Sequence, residues 1–255
     1  MAPGLPRLNT KHSPKDNSNI SSNNSLNRST LIGCLIDRAI VNTADVAQIA
    51  ADTDVKQSFA GQLSLWLDWT DAIALSAALN ANGAMPDRPF GKPHSAIALI
   101  AELQRARGDL AQSIRADDLP DGASDHGALD FSPYRRIHRA HQQAMETRIG
   151  ALRMQARAVL SGLSVALHRL AALDAVLHHA LAAKERHVLA TLPGLMEKHF
   201  NRLRTAHAAN PAQSPDWLAV FCGDRQAALL AELDFRLHAV EGMVDALPNS
   251  STRPS

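Results

Sequence analysis

The stretch METRIGALRMQARAVLSGLSVALHRL, residues 145–170, decides how the chain folds. Met145, Ile149, Leu152, Ala156, Val159 and Leu163 fall at alternating gaps of four and three, a heptad seam rather than the broader stripe of a globular helix. Leu163, Leu167, Leu170, Leu177, Leu181 and Val188 nearly continue it, with Asp174 and Lys184 as polar interruptions. Upstream, Ser132 and Pro133 form a start signal: serine caps, and proline at the first helical position gives up an N–H that would lack a partner anyway. A helix over 133–162 would be roughly 45 Å long at its rise per residue. SGLS, 161–164, either turns the chain back or lies inside one longer helix, and the pattern leaves both open.

Working outward, the same periodicity recurs. Leu189, Leu192, Met196, Phe200 and Leu203 follow, with Pro193 marking a kink or a new helix. Ser214 and Pro215 repeat the start signal before Leu230, Leu233, Leu237, Val240, Val244 and Leu247. Toward the N-terminus, 28–40 reads as a short helix capped by Ser29 or Thr30. A helix from Asp54 places Phe59, Leu63, Trp66, Thr70, Ile73 and Ala77 on one apolar face. Trp66 sits at its centre as a buried anchor, and Trp69 at its edge, where a helix meets a partner. Asp68 and Asp71 point away toward water. Residues 81–94, with three prolines and two glycines, form a loop, and a helix from near Ser95 carries Ile97, Ile100, Leu103, Leu110 and Ile114.

These patterns predict an all-α protein: an elongated helical bundle with long coiled-coil-like helices and a disordered N-terminal tail. The expected organisation is a tail over 1–28, an N-terminal helical region over 29–116, an acidic linker over 117–131, a long-helix bundle or coiled-coil region over 132–248 and a second tail over 249–255. Composition agrees, with 45% hydrophobic residues dominated by Ala and Leu and only 4% aromatic. The first 28 residues are rich in Asn, Ser and Pro and too poor in large apolar side chains to offset the entropy of ordering. They hold no apolar signal segment, and no run of about 18 apolar residues occurs to span a bilayer, so the expected compartment is the cytoplasm, without direct membrane insertion. Cys34 and Cys222 read as reduced packing residues.

A net charge of +1 conceals segregation. Residues 29–125 carry 7 basic and 13 acidic side chains, whereas 126–208 carry 12 basic and 5 acidic and hold 9 of the 12 histidines. Arg135, Arg136, Arg139, Arg148, Arg153 and Arg157 lie along one helix, with Tyr134 at its start. Such a helix, over 134–157, could track phosphates, which makes a nucleic-acid-associated protein the alternative reading. The aromatic residues that would stack on bases are mostly missing. The histidines read as surface residues on polar faces.

Nucleotide-binding glycine motifs, a nucleophile elbow, H-E-x-x-H, C-x-x-C and inward Glu-x-x-His pairs are all absent from the sequence. The acidic stretch from Asp117 lacks the third and twelfth ligands of a calcium loop, where Leu119 and Ala128 stand. Asp174 with His178, and Asp234 with His238, are carboxylate–imidazole pairs four apart, better read as ion pairs than as metal ligands. The expectation is therefore no enzyme, no cofactor and no metal.

Four blocks together, VKQSFAGQLSLWLDWTDAIALSAALN, DFSPYRRIHRAHQQAMETRIGALR, LAALDAVLHHALAAKERHVLATLPGLMEKHFNRLR and LLAELDFRLHAVEGMVDAL, resemble the proteobacterial domain of unknown function 3348. The resemblance implies a bacterial origin and supplies no catalytic residues. Sustained heptads, few aromatics, Ala-rich faces and opposed charge in neighbouring segments favour a non-enzymatic helical scaffold or protein-interaction protein in a bacterial multi-protein assembly, which associates with itself or with a protein partner. The candidate interface is Trp69 with the six arginines.

Overall fold

The computed structural model describes residues 30–41, 69–80, 93–117, 130–213 and 216–247. Trp66, the 81–92 loop, most of the acidic stretch, the Ser214–Pro215 start signal and both tails lie outside them. The described chain is all-α, with no strand: α1 (Thr30–Asp37), α2 (Trp69–Asn80), α3 (Pro93–Arg115), α4 (Ser132–Ser161), α5 (Val165–Ala190), α6 (Leu192–Ala209), a 3₁₀ turn (Pro211–Gln213) and α7 (Trp217–Asp245). No helix among these residues is long and apolar enough to cross a membrane.

The helix α4 runs 30 residues and stops at SGLS, which is a turn. Gly162 and Leu163 close it with backbone bonds to Val159 and Leu160, and the Ser164 hydroxyl accepts from the Leu167 N–H at 3.2 Å, capping α5. At the other end of α4, Pro133 lies in the first turn, but Ser132 is not the cap acceptor. Asp130 takes that place: one carboxylate oxygen accepts both the Ser132 N–H and its hydroxyl, each at 3.0 Å. These bonds hold the Asp130 carboxyl below its usual range.

Two apolar cores form, end to end. In the first, Leu99, Leu103, Ala106, Leu110 and Ile114 of α3 meet Met145, Ile149, Leu152, Ala156 and Leu160 of α4 and Leu229, Leu233, Leu237, Val240 and Met243 of α7. Residues from both sides of the acidic stretch thus share one core. The second gathers Leu31 and Leu35 of α1, Leu192 and Met196 of α6, and a knot of rings from Phe131, Tyr134, Phe200 and Phe221, with centroids 5.0–6.4 Å apart. Trp217 packs edge-on against Phe200. A chain poor in aromatics spends half of its ten in this one place. Truncating a ring here to Ala would cost about 3–5 kcal/mol.

The buried positions depart from the heptad. In α4 they are 134, 138, 141, 145, 149, 152, 156 and 160, so Leu160 takes the place expected of Val159. Their mean spacing, about 3.7, is close to the eleven-residue repeat, whose drift is right-handed where that of a heptad seam is left-handed. In α7, Leu229 and Met243 are buried where Leu230 and Val244 were expected, and those two are half-buried beside them. In α3, Ile97 and Ile100 are exposed and Leu99 is buried, because the helix turns this flank to solvent ahead of its contact with α4. In α2, the face of Ile73 and Ala77 is exposed, while Asp71, Leu75 and Ala78 are half-buried on the side toward α5. That helix is apolar nearly all round, so spacing alone could not choose its face.

The helices α5 and α6 form one bent helix of 45 residues. The bend sits at Thr191–Pro193, as the proline predicts: Pro193 has no N–H to give the Leu189 carbonyl four residues back.

Candidate functional site

Between the two cores runs a polar seam, built from α4 and α7. Tyr134, His138, His141 and Gln142 project from successive turns of α4, and Arg225, Glu232 and Arg236 from α7. Glu232 is 0% exposed. Its carboxylate accepts from Gln142 Nε2 at 3.0 and 3.2 Å and from Arg236 Nε at 2.9 Å, and Arg236 Nη2 stands 2.8 Å away. His138 Nε2 lies 3.7 Å off, too long for a hydrogen bond. Burial pushes the Glu232 carboxyl up, but His138, Arg236 and Gln142 outweigh it and hold the group below its ordinary range. Arg225, also buried, stacks over the Tyr134 ring at 6.0 Å, and its Nη1 reaches Asp117 at 3.4 Å. Asp117 binds His141 Nε2 at 2.6 Å, so the first residue of the acidic stretch is tied into the fold.

The reading of the histidines as surface residues fails for three of them. His138, His141 and His199 are buried because they fall in the apolar register of their helices, and two of the three find a carboxylate within hydrogen-bond reach. His199 Nε2 meets Asp224 at 2.8 Å, and Arg38 Nη1, just beyond α1, meets the other oxygen at 2.8 Å. Arg202 Nη2 lies 2.8 Å from His199 Nδ1. A guanidinium only donates, so Nδ1 accepts and the proton sits on Nε2: this imidazole is neutral. Burial pulls its pKa below the ordinary 6.5 against the opposing pull of Asp224.

Beside the seam opens a cleft of about 260 Å³ between α4, α5 and α7. Half-buried Gly150 and Ala182 line it, with Met145 and Ile149 buried beneath them. Arg153 and His178 stand at one side, and Arg236 joins the cleft to buried Glu232. Arg153 Nη2 holds Asp174 at 2.6 Å, Arg157 Nε holds its other oxygen at 2.6 Å, and Arg153 Nη1 donates to His178 Nδ1 at 2.9 Å. Burial raises the Asp174 carboxyl, and the two guanidiniums more than reverse that. The same logic leaves His178 neutral with its proton on Nε2; burial first, then the arginines, lowers its pKa.

The candidate interface residues therefore divide. Arg135 pairs with Glu197 of α6 and lies over the Phe131 ring, and Arg148 pairs with Glu102 of α3. Arg153 and Arg157 share Asp174. Arg136 and Arg139 are exposed, and no ion pair among the described residues engages them. Trp69, on α2, is 80% exposed. The two carboxylate–imidazole pairs do not close on themselves: Asp174 takes arginines of α4, and Asp234 takes Arg107 of α3 at 2.6 Å. Cys34 and Cys222 are half-buried free thiols against the second core, and burial raises both pKa values. The seam went unread because Tyr134, His138 and Glu232 look like surface residues by type; their phase with Met145 and Leu229 was the available signal.

Comparison with known proteins adds a family and nothing more specific. Neither the curated proteins nor the solved structures contain a match to this chain. The model of the family described as "Protein of unknown function (DUF3348)" matches residues 24–249, and over that span the chain belongs to the DUF3348 family.

Proposed function

We propose that this chain is a non-enzymatic helical scaffold whose partner protein is engaged at α2. One observation carries the reading: a twelve-residue helix, rich in Ala and Leu, buries none of its residues. It rests on α5 by one half-buried face and leaves Trp69, Ile73 and Leu79 exposed. Large exposed aromatics on a helix edge favour contact with a second surface, since each carries a large apolar area. The basic helix fits this role better than nucleic-acid binding: four of its six arginines are engaged with carboxylates of the same chain, which reduces the charge available for phosphates.

The test is association. Sedimentation of the full chain at micromolar concentration, and crosslinking in the native cell, are compared for wild type and the Trp69→Ala, Ile73→Lys double variant. The reading expects the variant to lose its oligomer or its crosslinked partner while keeping its helical content. An unchanged sedimentation profile together with unchanged crosslinks would sink it.

A further inference from the structure

The cleft between α4, α5 and α7 carries unpaired groups of both signs over an apolar floor. Glu146 and Glu185 line it, and neither makes an ion pair among the described residues. Arg186 also lines it, exposed and likewise unpaired. Arg236 spends Nε and Nη2 on Glu232, which leaves Nη1 for another acceptor. His178, neutral because Nδ1 accepts from Arg153, keeps an N–H at Nε2. The remaining charges, Arg153, Arg157 and Asp174, answer one another.

Gly150 is the second observation. It sits in the middle of a 30-residue helix, where glycine is among the costliest residues, and a Cβ added there would meet nothing within 4 Å. It is half-buried and lines the cleft, so the room beyond it is the cleft itself. Packing against the rest of the chain therefore does not require a glycine; a side chain would only take up space in the cleft.

We propose that this cleft binds a small zwitterion with an apolar body, of the class of aliphatic α-amino acids. The arginine side takes the carboxylate, where guanidinium geometry suits a planar anion. Glu146 and Glu185 take the ammonium group, and half-buried Gly150 and Ala182, above the buried Met145 and Ile149, receive the side chain. A dianion such as phosphate is opposed by the two glutamates, and an amine alone by the arginines. The volume suits a small molecule rather than a peptide chain.

Calorimetric titration of the full chain at neutral pH and low salt tests this with four probes: leucine, glycine, 4-methylpentanoate, which lacks the amine, and isopentylamine, which lacks the carboxylate. Leucine is expected to bind, and each of the other three at least about tenfold more weakly. Arg186→Gln and the Glu146→Gln, Glu185→Gln double variant are each expected to weaken leucine by a similar factor. Gly150→Leu is expected to abolish binding while melting at or above the wild-type temperature; should it misfold, Gly150→Ala and Arg186→Gln decide. No heat from leucine up to about 10 mM, equal binding of leucine and glycine, or wild-type affinity in the glycine and Arg186 variants would each overturn the proposal.

Discussion

Gln142 donates its side-chain amide to the main-chain carbonyl of Leu189, 3.0 Å away, which is the carbonyl that Pro193 leaves without its helical partner. The same nitrogen faces buried Glu232 on α7. One side chain on α4 therefore repairs the bend between α5 and α6 and satisfies the charge at the centre of the molecule. The bend is compatible with a buried position because an orphaned carbonyl there would otherwise cost about 1–3 kcal/mol.

Gln142→Leu is expected to destabilise the fold by about 2–4 kcal/mol, since it strips a partner from both the carbonyl and the carboxylate. Pro193→Ala restores an N–H for Leu189 and should make the Gln142 change milder. Urea unfolding of the two single variants and the double variant measures the coupling; strict additivity would show that the two residues do not share this carbonyl.

Removing Glu232 strands Arg236, whose side chain is 9% exposed, together with His138. Glu232→Ala should therefore cost about 3–5 kcal/mol. Glu197→Ala, which breaks the half-exposed pair with Arg135, should cost no more than about 1 kcal/mol. Comparable losses in denaturant would contradict the burial difference between the two pairs.

Stability should fall on acidification. His199 and His178 have pKa values below the ordinary 6.5, so the unfolded chain takes up protons before the folded one does. Their contribution is complete above about pH 6.5 and is lost as the pH falls toward the folded values. Thermal melts between about pH 7.5 and 5 should show the midpoint decreasing, and His199→Gln, whose amide can still donate to Asp224, should flatten part of that slope. A midpoint that rises as acid is added would mean that these imidazoles are protonated in the fold, against their neutral assignment.

Leu160 and Val159 distinguish the eleven-residue register from the heptad. Leu160→Ala is expected to cost about 2–5 kcal/mol and Val159→Ala less than about 1.5. Equal or inverted losses in urea would return the seam to Val159.

The register was legible only in its outline. Met145, Ile149, Leu152 and Ala156 are found buried as their spacing indicates, because heptad and eleven-residue repeats coincide over that span. They diverge by Leu160, where the choice depends on which helices lie opposite. Of the candidate site, the arginines were visible by type and their partners were not. Glu102, Asp174 and Glu197 come from three other helices, at separations of 46, 17–21 and 62 residues.

The amino-acid sequence by itself determined the helical class, an interruption at Pro193 and the family, since these depend on local propensity, on a missing N–H and on the order of residues along the chain; that the interruption is a bend within one helix was decided by the structure. Which face of α2 is turned inward, which arginines are engaged and that His138 and Glu232 are buried were decided by tertiary structure alone. Each depends on which helix packs opposite, and a polar residue in the apolar phase stays inside only when a neighbouring helix brings it a partner.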